Sequence, residues 1–226
     1  MLPIVLNDVC KSFSLNSSEP GQTVIQNLSF AIDAGEAVAL MGPSGSGKST
    51  VLNLIAGLDA PSSGEVIVGQ SKINQLPARD KEHFRLTSVS YVFQSFHLLP
   101  SLTALENAAL VAFEQRTRAP QDIVAIALNV FSELGLSDAA HKYPAQLSGG
   151  MQARVALARA LVSDPKIVLA DEPTGNLDSR TGSAVLDLLF REQSKRKFTL
   201  LLVTHDHAAA QRAGRILNLR DGRVLS

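Results

Sequence analysis

The chain has 226 residues, 45% hydrophobic and 19% charged, as expected of a globular protein with a sizeable core, built as one α/β domain or a core with subdomains. Its 21 basic and 21 acidic residues cancel, which leaves no electrostatic footprint for non-specific nucleic-acid binding. A single cysteine, Cys10, excludes an intramolecular disulfide framework and a cysteine-based zinc site, and no apolar run approaches the roughly 20 residues that span a bilayer, so any membrane role has to run through a partner.

Residues 1–8 carry no basic stretch and no cleavage pattern, so no signal peptide is expected. Residues 3–9 and 24–32 read as strands, separated by a polar loop at 14–21 rich in turn formers. Phe13, at the lip of that loop, has two readings. It is a strand-end side chain packed on the core, or a platform for adenine, since base–aromatic stacking is worth about 1–3 kcal/mol.

The apolar run at 37–41 leads into Gly42-Pro43-Ser44-Gly45-Ser46-Gly47-Lys48-Ser49-Thr50 and then a helical stretch at 51–56. Strand, glycine-rich turn and helix start in that order are the context of a phosphate-binding loop. Glycines let successive backbone N–H groups turn toward one anion, and the helix N-terminus adds unsatisfied donors and partial positive charge. Lys48 supplies a point charge for β- and γ-phosphates, and Ser49 offers a hydroxyl to Mg²⁺.

A turn at 57–64 precedes a strand at 65–68, a helix over 78–87 and a strand over 88–93 that ends at Gln94. A polar residue there lies at the ligand-binding edge of an open α/β sheet, although a lone glutamine is more commonly a solvated loop side chain. Residues 103–113, 120–134 and 150–163 have helical periodicity and few strand signals, which predicts a helical insertion, with Gly135 as a C-cap. Ser148, Gly149 and Gly150 open the third of these helices, as a second anion-binding N-terminus or as an ordinary N-cap.

The apolar strand at 167–170 closes on Asp171 and Glu172, which fits a magnesium-holding aspartate followed by a carboxylate that polarises water. Adjacent residues on an extended segment point to opposite faces, so the two acids need not share a job. A loop with Asp178 leads to a helix over 179–196, and a strand over 198–204 ends at His205. That histidine is placed to contact a γ-phosphate or orient water, while a solvated histidine is the commoner case for an isolated one. The tail at 215–225 reads as a hairpin with an Asp-Gly turn.

Phosphate loop, glutamine, Leu147-Ser148-Gly149-Gly150, Asp171-Glu172, Asn176-Leu177-Asp178 and histidine follow the order and spacing of an ABC ATPase nucleotide-binding domain, and the chain resembles that family over nearly its whole length. The resemblance implies a single nucleotide-binding domain over 1–226. Its fold is an α/β P-loop NTPase (RecA-like) core with an antiparallel β subdomain and a helical subdomain inserted at about 95–160.

The resemblance also implies roles, position by position. Phe13 stacks on adenine; Gly42, Ser44, Gly45, Ser46, Gly47, Lys48, Ser49 and Thr50 hold the phosphates; Gln94 reaches Mg²⁺ and senses a membrane partner. Ser148, Gly149 and Gly150 bind the γ-phosphate held by a second copy, Asp171 holds Mg²⁺, Glu172 is the general base, Asp178 belongs to the D-loop, and His205 is the switch. Two copies would sandwich ATP and Mg²⁺ head to tail, forming a homodimer on ATP binding. Met151 and Ala153 depart from the commonest residues after the signature, while Arg154 is kept.

Phe93-Gln94-Ser95-Phe96-His97-Leu98-Leu99-Pro100, Ala104-Leu105-Glu106-Asn107 and the run from Ala170 to Asp178 are similar to the lipoprotein-releasing and macrolide-exporter group, nearest its YbbA-like branch. That similarity implies a separate integral membrane permease with an extracytoplasmic domain, driven as a transporter or as a mechanotransmission complex in which ATP moves that domain and no solute is carried through the bilayer. It also implies a peripheral location on the cytoplasmic face of the inner membrane, with membrane contact only through the permease and no nucleic acid bound. The cargo would be a lipoprotein, lipid, drug or other hydrophobic substrate, exported or extracted. The rival expectation is a soluble ABC-type ATPase acting on ribosomes or DNA. Such proteins usually carry two ATPase domains or a long coiled coil, and neither is found in this sequence.

Overall fold

The computed structural model describes residues 1–13 and 22–225, so the expected polar loop at 14–21 lies outside the described residues. Two sheets organise the chain. The first is antiparallel and contains β1 (Ile4–Phe13), β2 (Gln22–Ile32), β4 (Ser63–Val68) and the two-residue β5 (Ser71–Lys72), in the order β2-β1-β4-β5. The second contains β3 (Ala37–Met41), β6 (Val89–Phe93), β7 (Ile167–Asp171), β8 (Thr199–Thr204), β9 (Arg215–Arg220) and β10 (Arg223–Leu225). Its order is β10-β9-β3-β8-β7-β6, parallel except for β10.

The central strands are continuous apolar runs because they are buried on both faces. Side chains alternate between two cores along each strand. Ile167, Leu169, Leu201 and Val203 join a cluster with Leu6, Ile25, Ile32 and Val66 of the antiparallel sheet and with Leu52 and Ile55 of α1 (Lys48–Ile55). Val168, Ala170, Leu200 and Leu202 face the opposite way, into a cluster with Phe131, Val155, Leu157 and Leu189. Helix α1 is therefore sandwiched between the two sheets, which fixes the direction of its N-terminus.

Between α2 (Ala78–Ser88) with β6 and the next strand, β7, come α3 (Ala104–Gln115), α4 (Pro120–Glu133) and α5 (Gly149–Val162), which is the expected helical insertion. Each start has a local cause. Thr103 and Glu106 form a reciprocal capping box, Pro120 sits in the first turn of α4, and Ser148 caps α5 through the Met151 N–H. Gly135 takes the left-handed turn just past α4 at φ 65°. Buried Asn107 ties down the approach to α3, accepting from the Leu99 N–H and donating to the Leu99, Leu102 and Thr103 carbonyls. Glu133 at the end of α4 pairs with Lys195 and Arg196 at the end of α6 (Ser179–Arg196), joining the insertion to the core.

Some boundaries differ from expectation. β1 runs on to Phe13 because Phe13 pairs with Gln22 of β2. Helix α1 begins inside the glycine-rich motif, at Lys48. The one-turn α7 (His207–Ala210) is too short to leave a periodic signal and is capped by Asp206 accepting from the Ala208 N–H. The tail hairpin turns at Asp221 and Gly222, both with positive φ (49° and 74°), and its first strand lies parallel to β3.

Phe131 is fully buried at the centre of the larger core. Phe131→Ala should lower the unfolding free energy by about 3–5 kcal/mol, read from the midpoint of denaturant unfolding.

Candidate functional site

The turn between β3 and α1 is shaped by close approaches. A Cβ on Gly42 would sit 2.1 Å from the Leu219 carbonyl oxygen, so only glycine lets the loop leave β3 beside β9. Gly47 is left-handed at φ 102°, where a side chain would also strike Ile25. Helix α1 then starts with no side-chain cap and no acidic residue in its first turn. Its N–H donors and partial positive charge are therefore left for an anion.

Lys48 is buried, and its ammonium donates to the carbonyls of Gly42 (2.8 Å) and Pro43 (2.9 Å), which arches it over the loop. The Ser46 hydroxyl is buried without a hydrogen-bond partner among the described residues. Ser44, Gly45, Gly47, Lys48, Ser49 and Thr50 line a cleft of about 400 Å³, with Gln94, Asp171, Glu172 and Val24 on its other walls. Gly42 and Ser46, in the same loop, are not among the residues that line the cleft, and a Cβ on Gly42 would come 2.8 Å from the Ser46 hydroxyl.

Gln94 and Asp171 meet the loop because β6 and β7 are in parallel register, Phe93 beside Asp171. Burial raises the pKa of the Asp171 carboxyl above its ordinary value, and the adjacent charge of Glu172 adds to this; a hydrogen bond from the Ser49 hydroxyl and the charge of Lys48 oppose it. Gln94 is braced from an element 82 residues away: Asn176 donates to its carbonyl (3.1 Å), and its side-chain amide lies 3.4 Å from the Asn176 oxygen. Gly175 leaves room for that amide, since a Cβ there would lie 2.7 Å from it.

Glu172 leaves the strand with φ 43°, an uncommon conformation for a non-glycine residue, while its N–H still donates to Val203. The turn swings its carboxylate to within 3.1 Å of His205 Nδ1. Glu172 borders the phosphate-loop cleft on one side and, on the other, a cavity of about 540 Å³ that includes Gly175, Asp178, Thr204 and His205.

The remaining candidates lie apart. Phe13 is 47% exposed at the end of β1, with the Lys11 ammonium 4.7 Å from its ring centre, and is not among the residues that line the cleft. Ser148, Gly149 and Gly150 do not line it either. Ser148 is a real N-cap, and a Cβ on Gly150 would come 2.4 Å from Thr181 of α6, so that glycine has a packing reason of its own. Asp178 caps α6, and hydrogen bonds from the Thr181 side chain and N–H lower its pKa. Sequence reasoning did not single out Asn176 as a brace for Gln94, because the contact is long-range and neither spacing nor periodicity encodes it.

Chemically, the cleft combines the uncapped start of α1, a buried ammonium, a hydroxyl beside a carboxylate, and a second carboxylate next to an imidazole. Among the described residues no three histidine, cysteine or carboxylate groups come together as a metal cage. A hydroxyl and one or two carboxylates suit a hard cation that takes its other oxygens from a phosphate ligand and water.

Comparison with known proteins agrees. The sequence profile of the ABC transporter family matches residues 25–175. Two relatives from strains of Mycobacterium tuberculosis, each named as an uncharacterized ABC transporter ATP-binding protein, are 42% identical over 214 residues, spanning 95% of this chain and 86% of theirs. A dimeric post-hydrolysis structure of the ATP-binding cassette MJ0796 bound to ADP and Pi is similar with a TM-score of 0.90 and 40% identity, covering 99% of this chain and 97% of that one. A second dimeric structure of that bacterial ABC transporter cassette gives a TM-score of 0.89 at the same identity. With a family profile over most of the chain, relatives spanning nearly all of it and a matching fold, this chain belongs to the ABC transporter family as an ATP-binding, ATP-hydrolysing cassette.

Proposed function

We propose that this ATPase drives a separate integral membrane permease of the lipoprotein-releasing and macrolide-exporter type, working as a head-to-tail homodimer at the cytoplasmic face of the inner membrane. The whole chain, 1–226, acts as one nucleotide-binding domain with its helical subdomain inserted at about 95–160. The observation that carries the catalytic reading is the convergence of Lys48, Ser49, Gln94, Asp171 and Glu172 on one cleft, with His205 against Glu172.

In this reading the loop from Gly42 to Thr50 wraps the phosphates of ATP, and Phe13 offers its exposed ring to adenine. Ser49, Gln94 and Asp171 hold Mg²⁺, which when bound stabilises the charge on the transferring phosphoryl group. Glu172 accepts a proton from the attacking water, and His205 holds the carboxylate in place and senses the γ-phosphate. Lys48 offsets the charge that develops in the transition state. Ser148, Gly149 and Gly150, which lie outside their own chain's cleft, complete the partner's site, with Asp178 at the junction between copies. MJ0796, similar over nearly its whole length, is described as a dimer, which supports this arrangement.

The permease reading is supported by the residues around Gln94 and Glu106 that resemble the exporter group, by the balanced net charge, and by the absence among the described residues of a helix long and apolar enough to cross a membrane. A permease with an extracytoplasmic domain would supply the membrane contact and choose a hydrophobic cargo.

Glu172→Gln should bind ATP normally yet turn it over roughly 10²–10⁴-fold more slowly, accumulating an ATP-bound dimer visible by light scattering. Wild-type turnover in that variant would remove Glu172 as the base. Lys48→Ala removes a charge-assisted contact and should weaken ATP binding by roughly 10–100-fold in equilibrium titration. The Glu172→Gln protein, tagged and purified from solubilised membranes with ATP and Mg²⁺, should bring down a stoichiometric integral membrane protein. Recovery of ribosomal or DNA-associated proteins alone would overturn the permease assignment and leave the ATPase intact.

A further inference from the structure

Directly after Gln94 the backbone does something unusual. Phe96 and His97 are consecutive non-glycine residues in the left-handed region, at φ 59° and 48°. L-residues visit this region rarely, and two in a row persist only where surrounding groups impose them. The turn is closed locally by the Phe96 N–H donating to Phe93 (3.1 Å) and the His97 N–H to Ser95 (2.6 Å).

The imposing group is Arg159 of α5. Its Nη2 donates to the Phe96 carbonyl and its Nη1 to the His97 carbonyl, both at 2.7 Å, across more than sixty residues of sequence. A planar guanidinium is the side chain that matches two adjacent acceptors in this way. Arg159 is half-buried, its hydrogen-bond partners among the described residues are these two carbonyls, and burial lowers its pKa. It borders a cavity of about 630 Å³ that also has Glu82 and Glu114 on its walls, so it is not a core-filling side chain.

The Phe96 ring is anchored to the same helix. It is buried against Ala153 and Ala156 of α5 and Val185 of α6. The segment is thus pinned to α5 by its side chain and its carbonyls, and Gln94, two residues upstream, is pinned by Asn176 on its other side. α5 is also the helix that starts at Ser148 and Gly149.

We propose that Arg159 is a positioning residue for ATP hydrolysis, which holds the Phe96 and His97 carbonyls so that Gln94 stays at the cleft wall. The proposal rests on the reading of Gln94 as a site residue given above. It assigns to the last turn of α5 a part in the reaction that no motif position in the sequence carries. Lysine keeps the charge but carries its donors on one tetrahedral nitrogen at the end of a flexible stem instead of on two coplanar nitrogens, so Arg159→Lys changes the donor geometry with the charge retained.

The test is a double-mutant cycle of Arg159→Lys and Gln94→Ala, with steady-state ATP hydrolysis measured on the purified cassette and on its complex with the co-purifying membrane protein. Arg159→Lys should lower kcat roughly ten- to hundredfold with KM for ATP within about twofold of wild type. In the Gln94→Ala background it should produce no further loss. Melting temperature and ATP titration of each variant identify any general loss of fold, which would raise KM and lower the melting temperature together. If Arg159→Lys is misfolded, Arg159→Gln, which keeps a planar donor, replaces it in the cycle. Multiplicative losses, unchanged kcat in Arg159→Lys, or a defect confined to KM would each overturn the proposal while Gln94 keeps its role. Wild-type kcat in Gln94→Ala would remove the reading of Gln94 and this proposal with it.

Discussion

The parallel register of β3, β8, β7 and β6 is the constraint on which the site depends. It sets Met41 beside Thr204, Asp171 beside Val203 and Phe93 beside Asp171. Because the strands run the same way, the residues that follow them emerge at one edge: the glycine-rich loop after β3, His205 after β8, Glu172 after β7 and Gln94 after β6. A one-residue slip in any pairing would turn alternate side chains to the wrong core and withdraw a functional residue from the cleft. Along β7 and β8 both faces are apolar, so the fit of particular side chains in the two close-packed cores, not a polar–apolar pattern, opposes that slip.

The second requirement is a helix start that lacks its own cap. Among the described helices α3, α5, α6 and α7 have a capping side chain, Thr103, Ser148, Asp178 and Asp206, while α2 and α4 start without one after Pro77 and Ala119. α1 has none, and its N-terminus is held instead by burial of its apolar face between the two sheets. Stability for an uncapped anion-binding terminus therefore comes from tertiary packing rather than from local hydrogen bonds. The same helix brings Ser49 to Asp171, whose raised pKa is the cost of placing a carboxylate in a half-buried position beside a second one.

Several residues serve packing and chemistry together. Gly150 allows α5 to approach α6 at Thr181, and Gly175 makes room for Gln94. Ser148 is an ordinary N-cap by its hydrogen bonding, and the proposed role in a second copy's site is compatible with that, since a cap uses the hydroxyl as an acceptor and leaves its proton to donate. The left-handed turn at Glu172 similarly ends a strand and aims a carboxylate.

What the amino-acid sequence determined by itself is everything written in short-range pattern. The phosphate loop in its strand–turn–helix context, the apolar strands closing on Asp171 and Thr204, the helical insertion and the Asp-Gly hairpin all follow from local periodicity, turn chemistry and capping, which act over a few residues. The family resemblance extended that reading by ordering the motifs along the chain. Tertiary structure alone decided the contacts that join distant segments: Asn176 on Gln94, Arg159 on the Phe96 and His97 carbonyls, His205 on Glu172, and Leu219 against Gly42. It also decided that α1 begins at Lys48 and that Phe13 prolongs β1 through its pairing with Gln22. The reason is physical. A carbonyl acceptor or a close backbone approach has no signature in residue type, so which side chain meets it is set only when the parallel sheet brings the ends of its strands together.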